Sequence, residues 1–195
     1  FDNNGSGINQ GIWSDIQNGT ANNDCGSVSA LNALHFNGVG DRYAATIPLT
    51  VLPSGGTISF DIIYGGFAST GTSCNFVSFN EDVEFQYSID GGITWILLTT
   101  YGAFPDFTWT SITEVIPAAA AGPNTIFRVV QPTHSGNDSD NWAIDDFLVE
   151  LDCAGLGCVN YEYIWSPAAT VSNPNILNPF FFPDVTTTYS LSISP

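Results

Sequence analysis

The chain has 195 residues, 44% of them hydrophobic, and a formal net charge of −17 from 19 acidic and 2 basic side chains. Arg42 and Arg128 are its whole cationic complement. That excludes nucleic acid and anionic membrane surfaces as partners, because both are held by Lys and Arg, and leaves divalent cations as compatible company.

The length carries one large domain, or one domain and a small second one, and no run is long and apolar enough for a membrane-spanning helix. Strand-like runs follow one another at 33–36, 43–47, 57–64, 83–89, 95–101, 108–116, 125–131 and 142–151, punctuated by Asn, Gly, Asp and Pro. No amphipathic helix is present, and Ala118–Ala121 is too short and too closely flanked by proline to count as one. Many short strands with turn signals between them predict an all-β sandwich, and eight in about 150 residues suit a jelly roll. The expected organisation is a jelly-roll domain over 1–151, a stapled linker at 152–158, and a β segment at 159–195 with three more strands near 161–165, 176–182 and 187–193. Three strands cannot close a two-sheet sandwich by themselves.

The stretch Ser88-Ile-Asp90-Gly-Gly92-Ile-Thr94-Trp95 fits the Asp-box pattern S-x-D-x-G-x-T-W. Sialidases carry several such boxes, yet their three-arginine clamp cannot be assembled from two arginines. The box is therefore expected to be architecture. Asp90 accepts hydrogen bonds within the turn, glycine supplies positive φ, and Trp95 packs alongside.

Four cysteines in a chain with few charges suit an oxidising compartment. Cys153 and Cys158 enclose four residues and are expected to pair locally, which leaves Cys25 with Cys74. Zinc is disfavoured, since no C-x-x-C occurs and His35 and His134 lack ligand spacing. An uncharged Asn/Ser/Thr/Gly surface suits an exported protein, and a start at Phe1 without any Met reads as a processed or excised piece.

The segments CGSVSALNALHFNGVGDRYAAT, ISFDIIYG, VEFQYSIDGGITWILL, TIFRVVQP and DNWAIDDFLVEL occur in the order found in reelin-type repeats. Residues 1–151 resemble such a repeat, which implies a calcium-binding β-jelly roll of extracellular proteins and implies no catalysis. The tail from Tyr163 onward resembles the second half of an Ig-like, PKD-type repeat of bacterial surface proteins exported by the type IX route, with the first half missing.

Strand alternation places Ala143, Asp145, Phe147, Val149 and Leu151 on one face. A buried carboxylate needs a metal or a partner, so Asp145 is read as a calcium ligand or as the partner of Arg42 or Arg128. Asp146, Asp2 and Asp41 are the further candidate ligands. Asn137–Asn141 is read as a solvated loop. No carboxylate pair or Ser-His-Asp order supports catalysis, so no enzyme activity is expected. Trp13, Trp109 and Tyr101 are a candidate glycan platform, although strand aromatics are more often core. Phe180, Phe181 and Phe182 form a candidate interface, because a half-repeat leaves apolar surface wet.

Two functions follow. The first is a calcium- and disulfide-stabilised structural or adhesive subunit of a cell-surface filament, self-assembling by shared β-structure from its C-terminal segment. The alternative is a carbohydrate-binding module of a larger secreted protein.

Overall fold

The computed structural model describes residues 11–29, 32–66, 74–102, 107–152, 162–175 and 179–194. The chain divides into two compact units, Phe1–Asp152 and Cys153–Pro195.

Among the described residues the first unit holds β1 (Trp13–Gln17), β2 (Gly19–Asn22), β3 (Ala33–Phe36), β4 (Arg42–Thr46), β5 (Leu49–Val51), β6 (Gly56–Tyr64), β7 (Val83–Ser88), β8 (Ile96–Tyr101), β9 (Thr110–Ile116), β10 (Gly122–Gln131) and β11 (Trp142–Leu151). The second unit holds β12 (Glu162–Ser166) and β13 (Ser190–Ser194). The described helical structure is two short 3₁₀ turns, Ala118–Ala120 and Ala168–Thr170.

Sheet I runs β1-β4-β10-β7-β8, with β5 also paired to β10, and sheet II runs β2-β3-β11-β6-β9. All of these pairings are antiparallel. The all-β sandwich read from the sequence is the observed architecture. Period-2 alternation creates its core. Phe85 and Val83 of β7, Phe127 and Val129 of β10, Phe60, Ile58 and Ile62 of β6, and Trp142 and Ile144 of β11 all turn inward to one cluster. Phe36 stacks on Trp142 at 4.1 Å between centroids, and Phe60 meets Phe85 edge-on at 5.9 Å across the two sheets. Edge and offset ring contacts of this kind favour one arrangement of a core beyond simple area burial.

The chain changes sheet twice in succession, at Asn18 between β1 and β2, and between β3 and β4. Asn18 adopts φ 54° and donates from its side-chain amide to the Asp41 carbonyl at 2.7 Å, tying the two corners together. A Cβ on Gly38 would lie 2.4 Å from the Asn18 side-chain oxygen, so glycine is required where the corners touch.

β1, β2 and β5 were not legible in the sequence. β1 and β2 carry mostly exposed or half-exposed polar residues, and β5 has three residues. Such strands are held by their neighbours' ladders rather than by their own pattern.

A second, smaller apolar cluster lies on the other face of sheet II. Ala33, Ile63 and Ala143 pack there with Cys25 and Cys74, against a half-buried Trp109. Cys25 and Cys74, 49 residues apart, are joined by a disulfide.

In the second unit β12 pairs with β13, and Val171 makes an isolated bridge with Phe181. The strand expected at 176–182 is reduced, among its described residues, to this bridge, flanked by Ser172 N–H to Phe180 O and Phe182 N–H to Thr170 O, both 2.9 Å.

Candidate functional site

The β7–β8 connection is built around one carboxylate. Asp90 accepts from the Ile93 and Thr94 N–H groups at 3.1 and 2.9 Å and from the Ser88 and Thr94 hydroxyls, while Gly92 N–H donates to Ser88 Oγ at 2.8 Å. The Thr94 hydroxyl, then the Thr94 N–H and the Ser88 hydroxyl, hold the Asp90 carboxyl down to about 2. Gly91 and Gly92 supply φ of 77° and 88°. A Cβ on Gly92 would touch the Trp95 ring at 3.5 Å, so that ring packs alongside the turn.

Trp95 leads to the outer face of sheet I. The Arg128 guanidinium carbon lies 3.9 Å from the Trp95 ring centroid and 5.8 Å from that of Tyr43. The pairing of β10 with β7 sets Arg128 beside Gln86 and Val130 beside Glu84, and Val130 also faces Tyr43 of β4. These positions alternate with the core positions Phe85, Phe127 and Val129 and therefore point outward. They line a cleft of about 270 Å³ whose walls include Asp41, Tyr43, Glu84, Gln86, Arg128 and Pro132. A hydrogen-bonded chain organises it: Arg128 Nε donates to Gln86 Oε1 at 2.7 Å, and Gln86 Nε2 donates to Glu84 Oε2. Tyr43 donates its hydroxyl to Asp15, and burial followed by that bond pushes the phenol up to about 12.

The other arginine does different work. Arg42 is fully buried, and its guanidinium donates to the carbonyls of Gly38, Gly136, Ser139 and Asp140 and to Gln131 Oε1. Asp140, also buried, accepts from Ser78 N–H at 2.8 Å and Ser135 N–H at 2.7 Å. Burial opposes its ionisation, but Glu81 and these two N–H groups hold it down to about 2, whereas burial and the adjacent Asp140 push Glu81 up. Asn137–Asn141 is thus not a simple solvated loop: Asp140 and Asn141 are its anchors inside the protein. The contacts span up to 98 residues, so no local signal announced them.

Asp145 is buried but does not share the face of Phe147, Val149 and Leu151. Its register partner is Asp61, whereas Leu148 pairs with Ser59, so one extra residue is inserted, with Asp146 at φ 49°. This bulge reverses the alternation. Ala143 belongs to the outer cluster, whereas Phe147, Val149 and Leu151 pack on the main core. Bulges re-aim side chains in this way. Neither arginine partners Asp145. Its Oδ2 accepts from Val28 N–H at 2.7 Å and Ser29 N–H at 3.4 Å, and its Oδ1 accepts from Asp146 N–H at 2.9 Å. Asp146 accepts the Ser29 hydroxyl.

Asp145 and Asp146 therefore converge on the 27–29 loop. Asp41 lies on sheet I instead, in the cleft wall, and Asp2, like Cys153 and Cys158, lies outside the described residues. Two carboxylates are fewer than the six to eight oxygens that calcium takes. These residues fit such an ion only with carbonyl, water or N-terminal ligands added.

The candidate platform of Trp13, Trp109 and Tyr101 is not assembled, and core packing, the commoner reading of strand aromatics, is what the structure shows for Trp13 and Tyr101. Trp13 is 3% exposed and Tyr101 6%, both in the main core, with Tyr101 donating to Glu114. Trp109 packs on the outer cluster. In the second unit Phe180 and Phe182 are exposed at 76% and 62%, whereas Phe181 turns inward onto Trp165 and Tyr189 at 5.0 and 4.6 Å. His35, lacking ligand spacing in sequence, stands next to Cys25 and Cys74 in space.

A family model described as Reelin subrepeat B matches residues 18–150. Among solved structures, the chain is similar to a family 16 carbohydrate-binding module (14% identity, 68% of this chain and 85% of that one, TM-score 0.43). It is also similar to a family 29 module (14%, 75% and 86%, TM-score 0.47) and to a family 61 module in complex with β-1,4-galactotriose (14%, 75% and 94%, TM-score 0.45).

Proposed function

Because this chain belongs to the reelin subrepeat B family, we propose that it is an extracellular, non-catalytic binding module whose sheet I cleft takes a saccharide. The observation that carries this reading is the Arg128–Trp95 stack at the cleft. A guanidinium, two carboxylates and the Gln86 amide on one small surface match the paired donors and acceptors of sugar hydroxyls, and Trp95 offers an aromatic flank. Asp41 and Glu84 in the wall and a net charge of −17 favour a neutral saccharide over an acidic one. The disulfide supports an oxidising, extracellular setting. The test is a saccharide array followed by calorimetry. Binding that disappears in Arg128→Ala and Trp95→Ala, with the fold retained, supports the reading; a folded wild type that binds no saccharide of any class removes it.

A second reading is a structural or adhesive subunit that assembles with copies of itself by sharing β-structure. The second unit supports it. Its described sheet has two strands, Val171 is the one buried hydrophobic residue among its described residues, and Ile164, Ile193, Phe180 and Phe182 are exposed. An isolated two-stranded ladder is marginal in water. Calcium bound near Asp145 and Asp146 would brace the first unit. Electron microscopy with calcium and after chelation tests this reading. Ordered fibres that fray on chelation support it, whereas a dispersed monomer at high concentration with calcium removes it.

A further inference from the structure

His35 occupies a position at odds with its chemistry. It is fully buried, on the outer face of sheet II, opposite Ala143 in register and beside the apolar cluster of Ala33, Ile63 and Ala143. Burial lowers its proton affinity in spite of nearby Asp24. One ring nitrogen is well served, with Nδ1 3.1 Å from Asn22 Nδ2 and 3.5 Å from Asp24 Oδ2. The other, Nε2, is inaccessible to solvent and has no hydrogen-bond partner among the described residues. A buried nitrogen left without a partner is desolvated with no hydrogen bond in return and calls for a reason.

The neighbours supply one. The Sγ atoms of Cys25 and Cys74 and a His35 ring nitrogen all lie within 4.8 Å of one another. While the sulfurs are bonded to each other they are poor ligands. Reduced, they are two thiols beside an imidazole, which amounts to three of the four ligands of a Cys/His zinc centre. Asn22 and Asp24 allow either tautomer, because Nδ1 can accept from the amide or donate to the carboxylate. Donation to Asp24 leaves Nε2 as a bare lone pair, and a carboxylate behind a ligating imidazole is the usual support of such a site. The Cα atoms are 4.9 Å apart. Zn–S bonds of about 2.3 Å set the two sulfurs roughly 3.8 Å apart, a separation that rotation of the cysteine side chains can reach.

We infer that the dithiol form of Cys25 and Cys74, together with His35, is a binding site for one Zn²⁺-like ion, and that the disulfide and the metal are alternative occupants of the same place. A dithiol reductant opens the disulfide by exchange. It is itself oxidised to a cyclic disulfide, and its two protons pass to the cysteine sulfurs. Metal uptake then releases both protons and leaves two thiolates on the ion. A disulfide oxidant then takes two electrons from the thiolates by exchange and, with two protons from solvent, leaves as two thiols; the Cys25–Cys74 bond re-forms, the metal is expelled and the latch closes over His35. The reduced chain, before it meets an oxidising compartment, is the form that holds the ion.

The experiment uses the 195-residue chain carrying Cys153→Ser and Cys158→Ser, so that Cys25 and Cys74 supply its only thiols. A trialkylphosphine reduces the disulfide, taking oxygen from water to become the phosphine oxide, and Co²⁺ is the probe. The expected result is one equivalent of Co²⁺ bound with thiolate-to-cobalt charge-transfer absorption, displaced by Zn²⁺ and absent from the oxidised protein. His35→Gln and Asp24→Asn should each weaken binding at least tenfold. Asp24 has a 38% exposed side chain, so its replacement is informative even where His35→Gln does not fold. Absence of the charge-transfer band in reduced protein, equal Co²⁺ uptake by the oxidised protein, or unchanged affinity in Asp24→Asn overturns the inference.

Discussion

The guanidinium of Arg128 lies 3.9 Å from the centroid of the Trp95 ring, so the hairpin turn organised by Asp90 and the cleft on sheet I form one continuous surface. Trp95 is half-buried because one side packs by Gly92 and another carries the cation. A motif that looks purely structural thereby helps to set the position of the one arginine on the outer face. A double-mutant cycle of Trp95→Leu and Arg128→Gln in urea is expected to give a coupling of about 0.5–2 kcal/mol, the range for a cation over an aromatic face. Additive effects would mean that the stack contributes nothing.

Asp90 should titrate well below an ordinary aspartate. Its carboxyl is held down to about 2, first by the Thr94 hydroxyl. A depressed carboxyl adds stability that is complete above its unfolded value, near pH 4, and is lost as pH falls through 2. The Thr94 amide resonance, which reports the Asp90 bond, is expected to shift with a midpoint near pH 2. In Asp90→Asn that transition should vanish. A midpoint near 4 would contradict the hydrogen-bond account.

Arg42 is a structural cation. Its removal takes a donor from the carbonyls of Gly38, Gly136, Ser139 and Asp140 and from Gln131 Oε1, although Asp140 O keeps the Gln131 amide and Gln131 Oε1 keeps the Trp142 indole N–H. Arg42→Met is expected to cost about 3–5 kcal/mol in urea unfolding, as breaking a buried charged network does. Arg42→Lys should be nearly as damaging, because an ammonium cannot reproduce the guanidinium fork. A loss below about 1 kcal/mol would show that the loop at 135–140 closes without it.

Glu81 and Asp140 should respond to neutralisation with opposite signs. Asp140 is held low, so it stabilises above about pH 4 and loses that contribution as pH falls toward 2. Glu81 is raised, so its contribution is complete below its unfolded value of about 4.5 and is lost as pH climbs through its folded value. At pH 7, Glu81→Gln is expected to leave the Tm unchanged or raise it, and Asp140→Asn to lower it by several degrees. Thermal melts of both variants at pH 4 and 7 check the pair.

Calcium should act through the bulge. Chelation is expected to lower the Tm of the wild type, because a ligand of the native state alone stabilises it. Asp146→Asn keeps a side chain that tolerates φ near 49°, so its melting point without calcium should match the wild type, while its calcium response should be lost. A wild type indifferent to chelator, measured by scanning calorimetry, would leave Asp145 as an anchor for the 27–29 loop and nothing more.

Much of the architecture could be read from period-2 runs. β3 and β11 have the limits that the pattern predicts, and β4, β6, β7 and β8 agree to within about a residue at either end. Their alternating apolar residues leave one way to face a core. The cleft was not readable in this way. Glu84, Gln86 and Arg128 are ordinary outward residues of β7 and β10 until the register sets them side by side. The candidate aromatics were chosen by type, and burial removed Trp13 and Tyr101 because large rings fill a two-sheet core before they decorate its surface.

By itself the sequence determined the all-β sandwich and the Asp90 turn, since each of these rests on local pattern. Tertiary structure alone decided which arginine is buried, that the Asp146 bulge turns Asp145 away from the main core, and that His35 meets Cys25 and Cys74. Each of those outcomes depends on strand register and on contacts between distant segments, and one inserted residue in a ladder is enough to exchange the two faces of a strand.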